Sequence, residues 1–307
     1  MRRIRGLRAA ALLCAALAVS ASAHADLLGY CGRQAPMSAA AQDKLLRFTE
    51  IVKNELSQSG QGMALISRSG LDLTRFGQRY SHAGLSLRDS ENAPWSVRQL
   101  YFSCDEGRPR IYDQGMAGFL LGTNDPKLGY VSLVFLPEEG SAQLARAALD
   151  KPLSLQLLSP NYSANAYAFG LQYQNCNQWV AELLAASWAG AQGAQGADGQ
   201  SRAAAQDWLK SNGYQPAVMA VDWRPMMWLG AFIPWVHSDD HPEEDLAQLR
   251  FRVSMPSSLE ALIQAQAPGA QRVEMCHTET QVVIRRGWVP IAEGCVAEPQ
   301  DSVIALN

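Results

Sequence analysis

The chain alternates between segments with helical periodicity and short apolar runs that are typical of strands. Ser38 can cap a first helix, in which apolar residues recur three and four positions apart up to Leu56. The other predicted helices are 141–149, a long helix that begins at Cys176, 201–212 and 257–265. Strands are predicted at 63–67, 81–87, 95–102, 111–112, 130–136, 271–276 and 281–289. Strands and helices that follow one another in blocks indicate an α+β fold, with an antiparallel sheet packed against helices.

Two of these strands, 81–87 and 95–102, flank a turn-rich stretch and predict a hairpin with a long loop. With the turn centred near residues 90–91, His82 is expected opposite Gln99 or Leu100. Successive side chains of a strand point to opposite faces, so Gln99 and Tyr101 share one face. The pattern therefore predicts a polar strand face beside His82.

The first 25 residues have the pattern of a secretory signal peptide. Four Arg precede an apolar run that is too short for a membrane span, and the run ends at the small-x-small site Ala23-His24-Ala25. We expect cleavage before Asp26 and a periplasmic or secreted protein without a transmembrane segment. A low-complexity stretch at 191–200 predicts a flexible linker between a core, 26–190, and a C-terminal extension, 201–307.

The composition is that of a globular protein, with 48% apolar and 18% charged residues. Loss of the four Arg in the signal peptide moves the formal net charge from -3 to about -7. An acidic chain without a basic run is not expected to bind nucleic acid. The sequence has no Gly-rich phosphate loop, no paired-carboxylate motif and no Cys-x-x-Cys site. It therefore predicts neither a cofactor nor a metal.

The cysteines left after signal removal are odd in number: Cys31, Cys104, Cys176, Cys276 and Cys295. In an oxidising compartment one of them lacks a partner. Cys276 and Cys295 bracket a predicted hairpin and form a natural local pair. Cys31 and Cys104 would then close a long loop, worth about 4 kcal/mol in the chain-entropy model. Four cysteines allow three connectivities, so the other pairings stay open. In this pairing Cys176 is free.

Cys176 stands at the first turn of the long helix, within Gln174-Asn175-Cys176-Asn177-Gln178-Trp179. Free N–H groups and the positive end of the helix dipole lower the pKa of a thiol placed there. His82 is the candidate base, because a strand histidine facing a helix-terminal cysteine forms the nucleophile–base pair of papain-like enzymes. A buried inert thiol and a structural histidine are the competing interpretations.

A third residue should orient the imidazole. Gln99 is the first candidate, because its amide oxygen can accept the imidazole N–H without adding charge. Tyr101 is the second candidate and Asp113 the third. An oxyanion would be held by the Cys176 backbone N–H and one side-chain donor. The candidate donors are Gln172, Tyr173 and Gln174, for which a solvated loop is the alternative.

The order of a His-bearing strand, a polar strand and a late Asn-Cys that opens a helix resembles the circularly permuted branch of the NlpC-type papain-like superfamily. The matching segments are Tyr80-Ser81-His82-Ala83-Gly84-Leu85 and Asn175-Cys176-Asn177-Gln178-Trp179-Val180. More closely, the chain looks like the exported bacterial proteins grouped as domain of unknown function 2145. The resemblance implies a permuted papain-like core within 26–190, with Cys176 as nucleophile and His82 as base. It does not identify the third residue.

These observations favour an exported cysteine hydrolase or acyltransferase that acts on a peptide, amide or acyl substrate. Cell-wall peptide is the expected substrate by analogy of fold and compartment. One alternative is a non-catalytic periplasmic binding or structural protein that retains the papain-like fold. A second is a metal-dependent hydrolase with ligands at His237 and His241, although a polar loop also explains that segment.

Overall fold

A large antiparallel sheet organises the computed structural model, which describes residues 37–191, 201–224, 227, 230 and 233–306. Its eight strands lie in the order β10-β9-β8-β5-β1-β2-β3-β4, and every neighbouring pair is antiparallel. The strands are β1 (Met63–Arg68), β2 (His82–Leu87), β3 (Ser96–Ser103), β4 (Arg108–Gln114), β5 (Gly129–Phe135), β8 (Gln271–His277), β9 (Gln281–Arg286) and β10 (Ser302–Ala305). A separate pair is formed by β6 (Ala217–Ala220) and β7 (Arg250–Val253).

The described helices are α1 (Ala39–Gln58), α2 (Met116–Leu121), α3 (Glu138–Leu149), α4 (Lys151–Gln156), α5 (Cys176–Ala191), α6 (Arg202–Ser211), α7 (Glu243–Ala247) and α8 (Pro256–Gln266). Helix α1 begins where the sequence predicts it, because the Ser38 hydroxyl accepts the Ala41 N–H at 3.2 Å. The α+β class and the antiparallel sheet packed against helices are confirmed.

One face of the sheet is covered by α1 and α2. The apolar side of α1, through residues such as Phe48 and Val52, packs with Ile66 of β1 and Leu133 of β5 into one core cluster. Phe119 of α2 belongs to the same cluster. Because side chains alternate along a strand, Arg68 lies two residues beyond Ile66 on this same face, at the end of β1.

Helices α3, α4 and α5 lie on the other face. Trp179 of α5 is fully buried and its indole N–H donates to the Ser154 carbonyl of α4 at 3.2 Å. Arg98 of β3 reaches the Ala148 carbonyl of α3 at 2.6 Å. The helix that begins at Cys176 is thus held by packing from its first turn to Ser187, which fixes where that turn lies.

Strands β8, β9 and β10 extend the sheet that β1 to β5 form, with β8 paired directly to β5. The predicted Cys276–Cys295 disulfide is confirmed. Cys104 is also disulfide-bonded, but Cys31 lies outside the described residues, so the Cys31–Cys104 pair stays a prediction.

Two other predicted segments, the signal peptide at 1–25 and residues 192–200 of the predicted linker, also lie outside the described residues. Within the part of the chain that the structure describes, no helix combines the length and the apolar character needed to cross a membrane.

The β2–β3 hairpin is formed, but its register differs from the expected one. Leu85 pairs with Arg98 and Leu87 with Ser96, so continuing the register places Gly84, not His82, opposite Gln99. The loop closes later than expected because Trp95 adopts a left-handed backbone conformation, φ 65°, and its N–H bonds to the Leu87 carbonyl at 2.9 Å. The observed register is two residues from the alternative that pairs His82 with Gln99 and one residue from the alternative that pairs it with Leu100. Only the shift of two keeps every side chain on its expected face.

Candidate active site

Cys176 is the first residue of α5 and is only 8% exposed. The preceding residue forms the helix cap, because the Asn175 carboxamide oxygen accepts the Gln178 N–H at 2.7 Å. The Asn175 amide also donates to the carbonyls of Ala164 and Ser254, each at 3.3 Å. The cap is therefore anchored to two other segments of the chain, which hold the thiol in one place.

Asn177 joins the first turn of α5 to the beginning of β2. Its side-chain oxygen accepts the Ala83 N–H at 2.9 Å, and its amide donates to the Ser81 carbonyl at 3.3 Å. Both partners flank His82. The two hydrogen bonds therefore place Cys176 beside the backbone of the strand that carries the candidate base.

His82 and Gln99 are hydrogen-bonded through the imidazole Nε2 and the amide oxygen. The Gln99 amide nitrogen in turn donates to the Gln114 side-chain oxygen of β4 at 2.7 Å. With the Gln99 nitrogen used in that bond, the Gln99 oxygen faces His82. An amide oxygen can only accept a hydrogen bond, so Nε2 of His82 carries the proton and donates it. Nδ1 then carries the free lone pair, which is the atom that can take a proton.

Gly84 makes this contact possible. It is itself the register partner of Gln99, two residues beyond His82, and a Cβ there would lie 2.6 Å from a Val97 methyl and 3.2 Å from the Gln99 Cβ. A hydrogen at this position lets β2 and β3 approach closely, so Gln99 can reach diagonally to His82. The chain that runs His82, Gln99, Gln114 is called the amide relay below.

Arg68 is the charged residue of the site. It is the register partner of His82 across β1 and β2, and its guanidinium donates to the carbonyls of Gly122 and, at 3.3 Å, Ser69. The ring of Phe119 lies 5.2 Å from the guanidinium carbon and 5.8 Å from the His82 ring, centroid to centroid. The candidate base is thus enclosed by an aromatic ring and a cation.

Burial controls the protonation of the site. It raises the pKa of the Cys176 thiol to about 12, against the backbone N–H groups of the helix terminus and the charge of Arg68, which lower it. Burial and Arg68 also lower the pKa of His82 to about 3, while the bond to Gln99 raises it. At neutral pH the resting site therefore holds a thiol and a neutral imidazole. The expected lowering of the thiol pKa by the helix terminus is present but smaller than the effect of burial.

Among the described residues, no hydrogen bond joins the Cys176 sulfur to the His82 ring. A cavity of about 780 Å³ in the described part of the chain is lined by residues such as Glu55, Gln271 and Trp288 and includes neither side chain. The site is closed and neutral at rest, so chemistry there requires a substrate group that enters and brings the two side chains together.

The lower-ranked candidates for the third residue are engaged elsewhere. Asp113 binds Arg98 through both carboxylate oxygens, at 2.7 and 2.6 Å, on the face opposite to Gln99. Tyr101 is 43% exposed and its ring lies 6.5 Å from that of Tyr112. Of the three candidates, only Gln99 forms a hydrogen bond with the imidazole among the described residues.

The candidate oxyanion donors also have other partners. The Gln174 amide donates to the Leu157 carbonyl at 2.8 Å and to Glu182 at 2.6 Å. Gln172 and Tyr173 both donate to Asp239, at 2.8 and 3.3 Å. These contacts hold the loop before α5 and leave the backbone N–H groups of its first turn as the donors next to the thiol.

The segment with the alternative metal ligands is a structural loop. His241 is buried and its Nε2 lies 2.7 Å from the Asn165 carbonyl, while the His237 ring stacks on Tyr173 at 4.5 Å. The described residues contain no group of three or more His, Cys, Asp or Glu side chains that could hold a metal ion. A metal-dependent reaction at His237 and His241 therefore lacks a ligand set in this part of the chain.

Sequence reasoning missed the roles of four residues: Arg68, Gly84, Gln114 and Asn177. Asn177 was visible as a polar neighbour of Cys176, but its bonds to Ala83 and Ser81, on either side of His82, cross 94 and 96 positions. Gln114 and Arg68 become neighbours of His82 only through the pairing of β4 with β3 and of β1 with β2. Arg68 does carry a signal, since it is a charged residue directly after the apolar run 63–66.

A family model described as "Uncharacterized protein conserved in bacteria (DUF2145)" matches residues 55–263, which include every residue of the site. No curated protein and no solved structure matches the chain.

Proposed function

We propose, for a chain that belongs to this bacterial family, that it is an exported cysteine hydrolase or acyltransferase with a permuted papain-like active site. The observation that carries the proposal is the amide relay on a strand whose backbone, on both sides of His82, is bound by Asn177, the neighbour of the free Cys176 at a helix N-terminus. A histidine oriented by a neutral amide, next to a thiol at the positive end of a helix, is the arrangement that nucleophilic acyl transfer requires.

In the proposed reaction the Cys176 sulfur attacks the carbonyl carbon of an amide or ester. The thiol proton passes to Nδ1 of His82, and the resulting imidazolium is stabilised by its Nε2–H bond to Gln99. The developing oxyanion accepts a hydrogen bond from the backbone N–H of Cys176. His82 returns the proton to the leaving amine or alcohol as the carbon–nitrogen or carbon–oxygen bond breaks. Water or an acceptor amine then attacks the thioester and frees the thiol.

The neutral resting state bears on when the proton moves from Cys176 to His82. Because burial disfavours both the thiolate and the imidazolium, the proton transfer is expected to occur with the substrate in place, rather than as a preformed ion pair. Neutral amide orienters suit this task, because Gln99 and Gln114 add no charge that would hold a proton on His82 permanently.

Export and the cell envelope are part of the proposal. Among the described residues Cys176 is free while Cys104, Cys276 and Cys295 are disulfide-bonded. Disulfides persist in oxidising compartments such as the bacterial periplasm. A thiol that stays free in such a compartment is a candidate for a functional role. The substrate class expected from this location is a cell-wall peptide, by analogy of compartment and fold alone.

The test uses p-nitrophenyl acetate, an activated ester that needs no knowledge of the natural substrate. We expect a burst of p-nitrophenolate and a mass increase of one acetyl group on the peptide that contains Cys176. Cys176→Ala should lose both, and His82→Gln should slow acetylation by about 10² to 10⁴, the usual contribution of a general base. Acetylation of Cys176 at the same rate in wild type and His82→Gln would show that the imidazole takes no part.

The competing function is a binding or structural protein that keeps this architecture without catalysis. The observation in its favour is the buried, protonated thiol with no hydrogen bond to His82 in the described chain. That function predicts a folded protein with no burst, and a Cys176→Ser variant that is less stable than wild type, because a hydroxyl replaces a buried apolar thiol.

A further inference from the structure

The side chain of Arg68 differs from the other buried arginines of this protein in how its guanidinium is used. Arg98 and Asp113, Arg285 and Asp301, and Arg202 and Glu182 are three bidentate pairs. In each pair the arginine Nε and Nη2 donate to the two oxygens of one carboxylate, at distances between 2.6 and 3.0 Å. This edge of the guanidinium matches a carboxylate in shape and charge.

Arg68 uses only its other nitrogen. Nη1 donates to the carbonyls of Gly122 and Ser69, whereas Nε is buried and has no acceptor in the described part of the chain. Nη2 likewise has no acceptor there, and no carboxylate within the described residues forms an ion pair with Arg68. A buried N–H without an acceptor is unfavourable, so a partner that accepts a hydrogen bond from this edge would relieve that cost.

The surroundings of Arg68 hold the guanidinium in this position. A Cβ at Gly122 would lie 2.6 Å from Nη2, and one at Gly70 would lie 2.6 Å from Nη1, so both positions leave room only for a hydrogen. The Phe119 ring lies 5.2 Å from the guanidinium carbon. The residue as a whole is half-buried, whereas its Nε is buried, so a carboxylate that reaches this edge must displace the groups that cover Nε.

The position of Arg68 ties it to the chemistry of the site. It is the register partner of His82, and its charge acts on both the Cys176 thiol and the His82 imidazole. A carboxylate bound there would lie close to both groups and would offset the positive charge that opposes an imidazolium.

We propose that the Nε and Nη2 edge of Arg68 binds a carboxylate of the substrate, so that the protein acts on amides or esters that carry a carboxylate near the bond to be broken. That the bound carboxylate belongs to a substrate rests on the proposed function. The carboxylate site itself does not require turnover. Peptides with a free carboxyl terminus or an acidic side chain beside the scissile bond belong to this class.

The experiment compares iodoacetate with iodoacetamide as alkylating agents of Cys176. Both reactions form a sulfur–carbon bond, release iodide and give the thiol proton to the buffer, but only iodoacetate carries a carboxylate. A cation that binds the reagent beside the thiol should make iodoacetate at least about tenfold faster than iodoacetamide at low salt. In Arg68→Gln the ratio of the iodoacetate rate to the iodoacetamide rate should fall to about one.

Arg110→Gln is the matched control. Arg110 is a half-exposed arginine of β4 whose partner, Glu106, is also bound by Arg108, so the variant removes the same charge without orphaning a carboxylate. The ratio should stay at the wild-type value in this variant. A ratio that is equal in wild type and Arg68→Gln would overturn the proposal, and so would an equal fall in both variants.

A measurement on wild type covers the case in which Arg68→Gln does not fold. Sodium acetate should slow alkylation by iodoacetamide relative to sodium chloride of the same ionic strength, because acetate competes for the site next to the thiol. Equal rates in the two salts would contradict the proposal.

A positive result together with no hydrolysis would make Arg68 the carboxylate site of a binding protein. Acetylation of Cys176 without the iodoacetate preference would leave the hydrolase and remove only the carboxylate site.

Discussion

The Asn177 side chain accepts the Ala83 N–H at 2.9 Å, and this contact connects the first turn of α5 to the strand of His82. The amide of the same side chain donates to the Ser81 carbonyl on the other side of His82. Cys176 and His82 lie far apart in the sequence. Asn177 is adjacent to Cys176, and its side chain binds the two residues that flank His82, so it connects the two segments. A single asparagine sets the relative position of the candidate nucleophile and base.

Asn177→Ala should therefore slow acetylation of Cys176 by about tenfold or more, because misplaced reacting groups lose the advantage of proximity. The variant should also lose about 1–3 kcal/mol of unfolding free energy, because the Ala83 N–H is left buried without an acceptor. Burst kinetics and urea unfolding measure the two effects. Asn92→Ala is the control, since Asn92 also donates to a backbone carbonyl, that of Asp113, but is exposed. A stability loss with unchanged burst kinetics would assign Asn177 to the fold alone.

The alkylation rate of resting Cys176 should rise about tenfold for each pH unit between 7 and 11, without a plateau near the pKa of an ordinary thiol. The thiolate is the reactive form, and burial raises the pKa of this thiol to about 12, so the thiolate fraction keeps growing through the range. The measurement is the rate constant for iodoacetamide against pH in the native protein. A plateau below pH 8 that is lost in His82→Ala would instead reveal a preformed thiolate–imidazolium pair.

Gly84→Ala should disrupt the amide relay. A methyl group would lie 2.6 Å from a Val97 methyl and 2.9 Å from the Arg98 carbonyl, so β2 and β3 must move apart. We expect a loss of about 1–3 kcal/mol in unfolding free energy, as for other overpacked sites, together with slower acetylation of the protein that remains folded. Gly62→Ala is the matched control, because its added carbon would meet only a flexible Arg88 nitrogen at 3.6 Å. Equal acetylation rates in the two variants would show that the relay tolerates separation of the strands.

Replacement of both Cys276 and Cys295 by Ser should lower the unfolding free energy by about 3 kcal/mol, the value expected for opening a loop of this length. The bridge spans 19 residues, and Cys276 pairs with Tyr130 of β5 on a strand that lies two strands away from Arg68 of β1. Urea unfolding under non-reducing conditions gives the difference, and burst kinetics of the folded variant should match wild type. A loss of acetylation at full folding would indicate that the extension formed by β8 and β9 takes part in the site.

The sequence by itself determined most of the elements. Periodicity located the capped helix α1 and the helix that begins at Cys176, because a helix repeat and a capping side chain are local properties. Alternation placed Gln99 and Tyr101 on one face, whereas the pairing of His82 with Gln99 or Leu100 stayed open. The observed register, in which His82 falls opposite Tyr101, puts His82 and Gln99 on the same face. Counting cysteines left Cys176 unpaired, and the structure finds it free.

Only the tertiary structure decided the electrostatics of the site. The helix terminus predicts a lowered thiol pKa, whereas burial on all sides raises it, and burial depends on the packing of helices and strands from the whole chain. The same holds for Arg68, whose neighbours come from β2, from α2 and from the turn at Gly122. Local pattern therefore gave the chemical groups, while long-range pairing gave their distances, their partners and their charge.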